Sequence, residues 1–426
     1  MEDINNFLLE NNEFNVEGLI KFIYSKIPKK PNHLRIHYKK YPEEDLVQIF
    51  TESAGEYTPW PIYNICRSII FDQTKNKIVS YSHPNIEYIN YKINSEQHTE
   101  SKINSEQVFT ESHEGTLISV FYHNNKWYYA TRRHIDMYKT NQIIQGDKSE
   151  MTHGQMFEDA LSKVNLSKEA FELLLNKDYR YNFELVHYQN KFNISYDSRY
   201  GEKYAKIFLL FVRDENQNMI NINMDMFANE TCDYPTVIKN LEDNSCVMEG
   251  YIFTQDNHLC KVMHSNYSNI VKYNPGYKTK QEQYIHLYQN NLLAEYVDKT
   301  NKKIYTVVDT NNIEAVGMLS CVFTYIGQRM LDIYYKFNNN NMIHRNEDKF
   351  KELFNTKKYY LIFHTLGVMK GIHKNKQLNI YEMKTLLKYK ISPKDMWKLF
   401  NELISFEETE NILTKWSNPL VKMFNK

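Results

Sequence analysis

Up to about Pro275 the hydrophobic positions come in short alternating runs separated by turns; beyond Gly276 they recur every three to four residues. The first pattern predicts strands, among them 66–71, 77–80, 116–122, 126–131, 182–186, 207–212 and 249–253. His123-Asn124-Asn125-Lys126, between two aliphatic-aromatic runs, reads as a hairpin turn, and a helix pair is expected at about 155–176. The second pattern predicts helices. Ile285, Tyr288, Leu292 and Tyr296 share one period, as do Leu319, Val322, Phe323, Ile326, Met330, Ile333 and Phe337, before a loop at 338–341. Ser392-Pro393 opens a helix over 395–403, with serine as N-cap and proline at the first helical position. The chain therefore reads as α+β, with a mixed domain over 1–275 and an all-helical domain over 276–426.

Charge sharpens that division. The 52 Lys+Arg balance 52 Asp+Glu over 426 residues, which excludes a basic nucleic-acid coat and an acidic disordered solvator. The balance hides an asymmetry: residues 276–426 hold 23 basic against 15 acidic side chains, and the remainder 29 against 37. A hydrophobic content of 42% suffices for cores, and 12 Gly with 10 Pro exclude collagen-like and low-complexity classes. No apolar run reaches the roughly 18–20 residues that span a bilayer, and the acidic, polar opening shows no secretory signal. No membrane is therefore expected as a partner, and five scattered cysteines without a CxxC pair read as reduced thiols, which makes the cytoplasm the expected compartment. The segments 92–101 and 102–112 repeat one polar decapeptide, KINSEQ…TES, which reads as a duplication inside a surface connection.

The chemistry-bearing residues of the first domain sit at strand ends in a fixed succession. Cys66-Arg67-Ser68-Ile69-Ile70-Phe71-Asp72 precedes Ile78-Val79-Ser80 and Pro84. Glu114-Gly115-Thr116-Leu117-Ile118 opens a hairpin. Asn182-Phe183-Glu184-Leu185-Val186 and the run from Phe208 to Arg213 follow. Met248-Glu249-Gly250-Tyr251-Ile252 and Lys261-Val262-Met263-His264-Ser265 close the series. Over about 35–275 this ordered set resembles the bacteriophage-type ATP-dependent RNA ligases of the covalent nucleotidyltransferase superfamily.

The resemblance implies a nucleotidyltransferase domain with ATP-grasp-like antiparallel sheets, ATP and Mg²⁺ as cofactors, and RNA as partner. It also implies a helical C-terminal domain that contributes to RNA specificity. In that chemistry a lysine amine attacks the α-phosphate of ATP and forms lysyl-AMP. The AMP passes to an RNA 5′-phosphate, and a 3′-hydroxyl displaces it. An amine attacks only when deprotonated, so positive neighbours and a metal have to lower its pKa. By the same resemblance Glu184 falls on the ribose-contacting glutamate, Glu249 on the metal-linked glutamate, and Arg67 on the phosphate-facing arginine. Lys261 falls on the first of two motif lysines, and Arg132 on a basic hairpin end.

The departures all remove positive charge. Ser112-His113-Glu114-Gly115 places Ser112 where the family has its nucleophilic lysine, Met263 replaces the second motif lysine, and Glu87 and His83 stand where a lysine and an arginine are expected. Lysyl-AMP formation is therefore not expected, and the catalytic residue is left unassigned. Without the resemblance, Glu184 and Glu249 read as solvated strand-end carboxylates, His113 as an exposed turn residue, Arg132-Arg133-His134 as a solvated basic hairpin end or a phosphate-holding one, and Trp127, Tyr128 and Tyr129 as alternating core and outer positions.

In the second domain Lys370, Lys374, Lys384, Lys388 and Lys394 form a dense series, with Lys384 and Lys388 on one helical face. It reads either as a solvated face or as an RNA-phosphate surface. Two functions remain open: an RNA-ligase-like protein that handles RNA ends or nucleotides, and an inactive homologue that binds or scaffolds within a protein complex. A capping-type guanylyltransferase relative would also need the missing lysine. The AT-rich coding flavour and the phage-type resemblance fit a viral protein in a host cytoplasm.

Overall fold

A computed structural model describes residues 1–11, 13–28, 35–51, 58–89, 107–144, 147–190, 194, 196–242, 248–255, 258–273, 279–299, 312–339, 359–373 and 378–409. The chain divides into two compact units, Met1–Lys272 and Tyr273–Lys426. Among the described residues no helix is long and apolar enough to cross a membrane, and no two cysteines form a disulfide.

The first unit is mixed α+β with mostly antiparallel sheets. Its first sheet is a meander of β1 (Ile36–Tyr41), β2 (Leu46–Thr51), β3 (Ser68–Asp72) and β4 (Lys77–Tyr81), with the one-turn helix α3 (Pro61–Asn64) between β2 and β3. Strand β2 is buried at every position. Val47 and Ile49 face a core shared with α1 (Glu2–Glu10) and α2 (Val16–Ser25), whereas Leu46 joins Phe121 and Tyr128 of the next sheet. A strand covered on both faces needs a continuous apolar run, which LVQIFT supplies except for Gln48 and Thr51. The Gln48 side chain is satisfied across the interface, where its Nε2 donates to the Thr131 carbonyl (2.9 Å).

Two five-stranded sheets follow, built from β5 (Glu87–Ile89), β6 (Phe109–Ser112), β7 (Thr116–His123), β8 (Lys126–Thr131), β11 (Arg180–His187), β12 (Ala205–Arg213), β13 (Met219–Ile220), β14 (Thr231–Cys232), β15 (Gly250–Gln255) and β16 (His258–Met263). Between β8 and β11 lie the small hairpin of β9 (Asn141–Ile144) and β10 (Asp147–Thr152), and the helices α4 (His153–Ser162) and α5 (Lys168–Leu174). One sheet has the order β13-β12-β11-β7-β8; the other, β14-β6-β15-β16-β5, contains a parallel pair, β16 with β5. Asn124 and Asn125 both adopt positive φ (45° and 64°), as a two-residue hairpin turn matched to strand twist requires. Tyr128 and Tyr129 point to opposite faces and both enter cores, so the expected outer face of β8 is covered.

One sequence expectation fails here. The second copy of the decapeptide does not end in a surface connection: Phe109–Ser112 is strand β6, with Phe109, Glu111 and Ser112 all buried. Its polar residues are tolerated because they are paired, Glu111 with Arg199 in bidentate fashion and Ser112 with Glu249.

The second unit is helical in its described part: Lys280–Gln289, Leu293–Lys299, Asn312–Asn339, Tyr360–His373, Ile380–Tyr389 and Pro393–Thr409 surround one apolar core. The single period through Ile285 and Tyr296 resolves into two helices, because Asn290 ends the first and Asn291 takes a left-handed φ of 57°. Helix Asn312–Asn339 runs into the stretch expected as a loop, whose later residues lie outside those described. Ser392 Oγ accepts from Asp395 N (3.1 Å), the N-cap expected from the sequence.

Candidate functional site

Glu184, Ser112, Glu249 and Lys261 come from both five-stranded sheets and meet on their facing sides. Glu184 lies in β11, in register with Leu117 and Phe208. Ser112 ends β6 opposite Gly250, and Lys261 in β16 pairs with Ile252 on one side and Tyr88 on the other. Gly250 has a φ of 148°, and a Cβ there would stand 2.1 Å from the Val262 carbonyl oxygen. Only glycine lets the chain turn from Glu249 into β15 at this approach.

The Lys261 ammonium lies 2.8 Å from Glu249 Oε1, and Ser112 Oγ donates to Glu249 Oε2 (2.7 Å). Both carboxylate oxygens are thus engaged. Burial alone would lower the Lys261 pKa, but Glu249, Tyr88 and Glu184 outweigh it and the net shift is upward. The amine is a fixed cation. Glu184 behaves in the opposite way: burial first, then the charge of Glu249, pushes its carboxyl up to about 8, against the pull of Lys261, the His113 N–H and Arg67. At neutral pH Glu184 is predominantly protonated.

The segment where the resemblance places the nucleophile is held rigidly. His113 is buried rather than exposed, stacks on Phe208 (centroids 4.3 Å apart) and shares a hydrogen bond between its Nε2 and the Tyr200 hydroxyl (2.8 Å). Burial, reinforced by Arg199 and Lys206, lowers its pKa to about 3, so it is neutral. Glu114 accepts from Ile194 N (2.9 Å) and from the Tyr267 hydroxyl (2.8 Å). Gly115 packs against β11 so closely that a Cβ would stand 2.7 Å from Glu184 Cγ. Ser112 donates to Glu249 while His113 meets Tyr200 and Phe208, so the neighbouring imidazole is not paired with the serine hydroxyl as a base.

Arg67 precedes β3 and is half-buried; its Nε is buried without a hydrogen-bond partner. Burial lowers its pKa, opposed by Tyr88, Glu184 and Glu249. Arg132, also half-buried, donates from Nη1 to the Thr51 carbonyl (2.7 Å). Burial together with the charges of Arg133 and Arg67 brings its pKa down to about 9. His83 is buried and donates from Nδ1 to the Pro84 carbonyl (2.6 Å). Burial, Arg67 and Lys261 hold it neutral.

Glu87 does not reverse the charge of this site. It pairs with Cys260, and Ile89 two residues on shares a core with Cys260 and Val262, so Glu87 lies on the sheet face opposite Lys261. The side chain beside Lys261 is Tyr88, whose ring centroid is 5.9 Å from Nζ. A strand of three residues carries too little periodicity to reveal its inward face from sequence. Met263 does share the face of Lys261, and it packs on the cluster of Val186, Tyr196 and Tyr267.

In the second unit Lys384 and Lys388 lie one turn apart on Ile380–Tyr389, and Lys394 opens the next helix. Lys394 is exposed, Lys384 half-buried, and Lys388 donates to Asn291 Oδ1 (2.7 Å). Lys374 lies outside the described residues, as does the side chain of Lys370.

No family model matches the chain, and no curated protein does. Several solved structures resemble parts of it. A protein of Aquifex aeolicus assigned as an ATP-dependent DNA ligase is 14% identical, with 67% of this chain and 84% of that one covered and a TM-score of 0.37. An archaeal ATP-dependent RNA ligase is 9% identical over 66% of this chain and 74% of its own, at 0.35. A lysine-to-alanine mutant of the Naegleria gruberi RNA ligase with ATP and Mn is 11% identical over 40% and 53%, at 0.27, so the chain spans about half of that ligase. With TM-scores below 0.5, none of these likenesses assigns a function.

Proposed function

We propose that the first unit binds a nucleotide or an RNA end without forming a covalent intermediate, in the site made by Arg67, Glu184, Glu249 and Lys261, with Arg132 beside it. The observation that carries this reading is the Ser112–Glu249–Lys261 network. The one lysine in the cluster is held as a cation by a carboxylate 2.8 Å away, and the residue at the nucleophile position is a serine that already donates to that carboxylate. Such an amine neutralises a phosphate; it does not attack one.

Arg67 favours binding over a purely scaffolding role. A buried guanidinium donor left unmade is costly, and a phosphate oxygen is the acceptor that satisfies it with charge assistance. The fit to a metal is poorer. Both oxygens of Glu249 are engaged, and among the described residues no group of three or more ligating side chains gathers around a common point. Magnesium retains several waters and needs few protein ligands, but the Glu249 carboxylate is already taken by Lys261 and Ser112, so no step through a metal is derived.

In the second unit, Lys384, Lys388 and Lys394, with Lys370 and Lys374, are proposed to add sequence-independent RNA contacts. Incubation with α-labelled ATP or GTP followed by denaturing electrophoresis tests the central reading. The expected result is no labelled protein band; a band mapped to any lysine would make the protein an enzyme with a relocated nucleophile.

A further inference from the structure

A second cationic feature lies behind the Ser112–Gly115 segment. A groove of about 260 Å³ opens between the end of α4, the start of β12 and the Met226–Ala228 segment. Lys163, Lys203 and Lys206 line it, and among the described residues no carboxylate does. All three lysines are exposed, and none pairs with an acidic side chain within 4.0 Å among the described residues. Its floor is apolar and aromatic, with Tyr200 and Phe208 inside and Met226 49% exposed at the edge.

Lys163 has a local reason to be there, since it caps α4 and complements the helix C-terminus. Lys203 follows the one-turn helix Asp197–Tyr200, and Lys206 lies at the start of β12. Lys206 Nζ sits 4.8 Å from the Tyr200 ring centroid, so one wall already joins a cation to an aromatic face. Two of the floor residues are the partners of His113: Phe208 stacks on its ring and the Tyr200 hydroxyl meets its Nε2. The groove and the candidate nucleotide site are therefore two sides of one segment.

We infer that this groove holds single-stranded nucleic acid, with one base against Tyr200 and Met226 and the flanking phosphates on Lys163, Lys203 and Lys206. Ligand pockets usually run to roughly 300–1,000 Å³, so this space suits one base rather than a whole nucleotide. Sequence-tolerant stacking beside a line of cations is how proteins hold single strands. The inference rests on the reading of the first unit as an RNA-handling one, and it names a surface through which the strand is held.

The test uses the full chain and a 5′-fluorescein-labelled twelve-nucleotide single-stranded RNA, followed by anisotropy across a salt series. The combined variant Lys163→Glu, Lys203→Glu, Lys206→Glu is expected to bind at least tenfold more weakly at low salt. Its slope of log affinity against log salt should be smaller by about 2, from about 0.7 per phosphate. The corresponding Lys→Gln variant should fall between, with an unchanged melting temperature, and labelled ATP should bind all three proteins equally. An unchanged slope in the Glu variant would overturn the inference. So would displacement of RNA from the wild type by poly-glutamate at equal charge concentration, which would assign the groove to an acidic peptide. Failure of the wild type to bind ATP while the lysine variants still lose RNA would overturn the nucleotide reading and support the groove.

Discussion

Lys261 and Glu249 form a buried ion pair at 2.8 Å, and Ser112 completes it by donating to the second oxygen of the same carboxylate. The pair positions a cation in the site and blocks that cation from acting as a nucleophile. Removing one partner leaves the other charge buried and alone. Lys261→Met is therefore expected to destabilise the first unit by about 3–5 kcal/mol, whereas the double change Lys261→Met, Glu249→Leu should recover much of the loss. Denaturant unfolding of the two variants checks this, and equal loss in both would show that the pair is not what holds this region.

Glu184 gives stability a pH dependence of definite sign. Its folded value of about 8 exceeds the ordinary 4.5, so between those values the folded protein keeps a proton that the unfolded chain has released. Its contribution to stability falls as pH rises through that window and levels off above it. Glu184→Gln mimics the protonated acid and can still accept the His113 N–H. The melting temperature of the variant relative to wild type should therefore rise from pH 5 to pH 8; a constant difference would mean that Glu184 is ionised throughout.

How far the sequence revealed this site depends on strand length. The long alternating runs gave β7, β8, β11 and β12 to within about two residues, and with them the position of Glu184. The Asn124-Asn125 turn and the Ser392 cap were legible because left-handed backbone and orphan helix donors have narrow residue preferences. Short strands were not legible. Glu87 was given the face that belongs to Tyr88, and Ser112 belonged to a stretch too polar to suggest a buried strand. The burial of that stretch depends on Arg199 and Glu249, which are 88 and 137 residues from their partners in β6, a separation that no local pattern encodes.

Gly115 is fixed by the closeness of β11. Gly115→Ala would bring a Cβ to 2.7 Å from both Glu184 Cγ and the Leu185 carbonyl oxygen, and the second of these is backbone. A loss of about 1–3 kcal/mol is expected, as for other overpacked positions. The change should also weaken nucleotide binding by displacing Glu184. A thermal melt together with a binding isotherm measures both.

The helical unit offers a separate check on RNA binding. Changing Lys384, Lys388 and Lys394 to Glu in the full chain should reduce the salt slope for single-stranded RNA by about 2 if each neutralises one phosphate. Combined with the groove substitutions, the losses should add. An unchanged slope would identify this series as a solvated helix face.

The central claim is that the site binds a nucleotide and does not become bonded to it. Equilibrium dialysis of α-labelled ATP against wild type and Arg67→Met, with each sample then denatured and filtered, tests both halves together. The account predicts saturable binding by the wild type, at least tenfold weaker binding by Arg67→Met, and complete release of label on denaturation. Label that survives denaturation, or binding that is indifferent to Arg67, would contradict it.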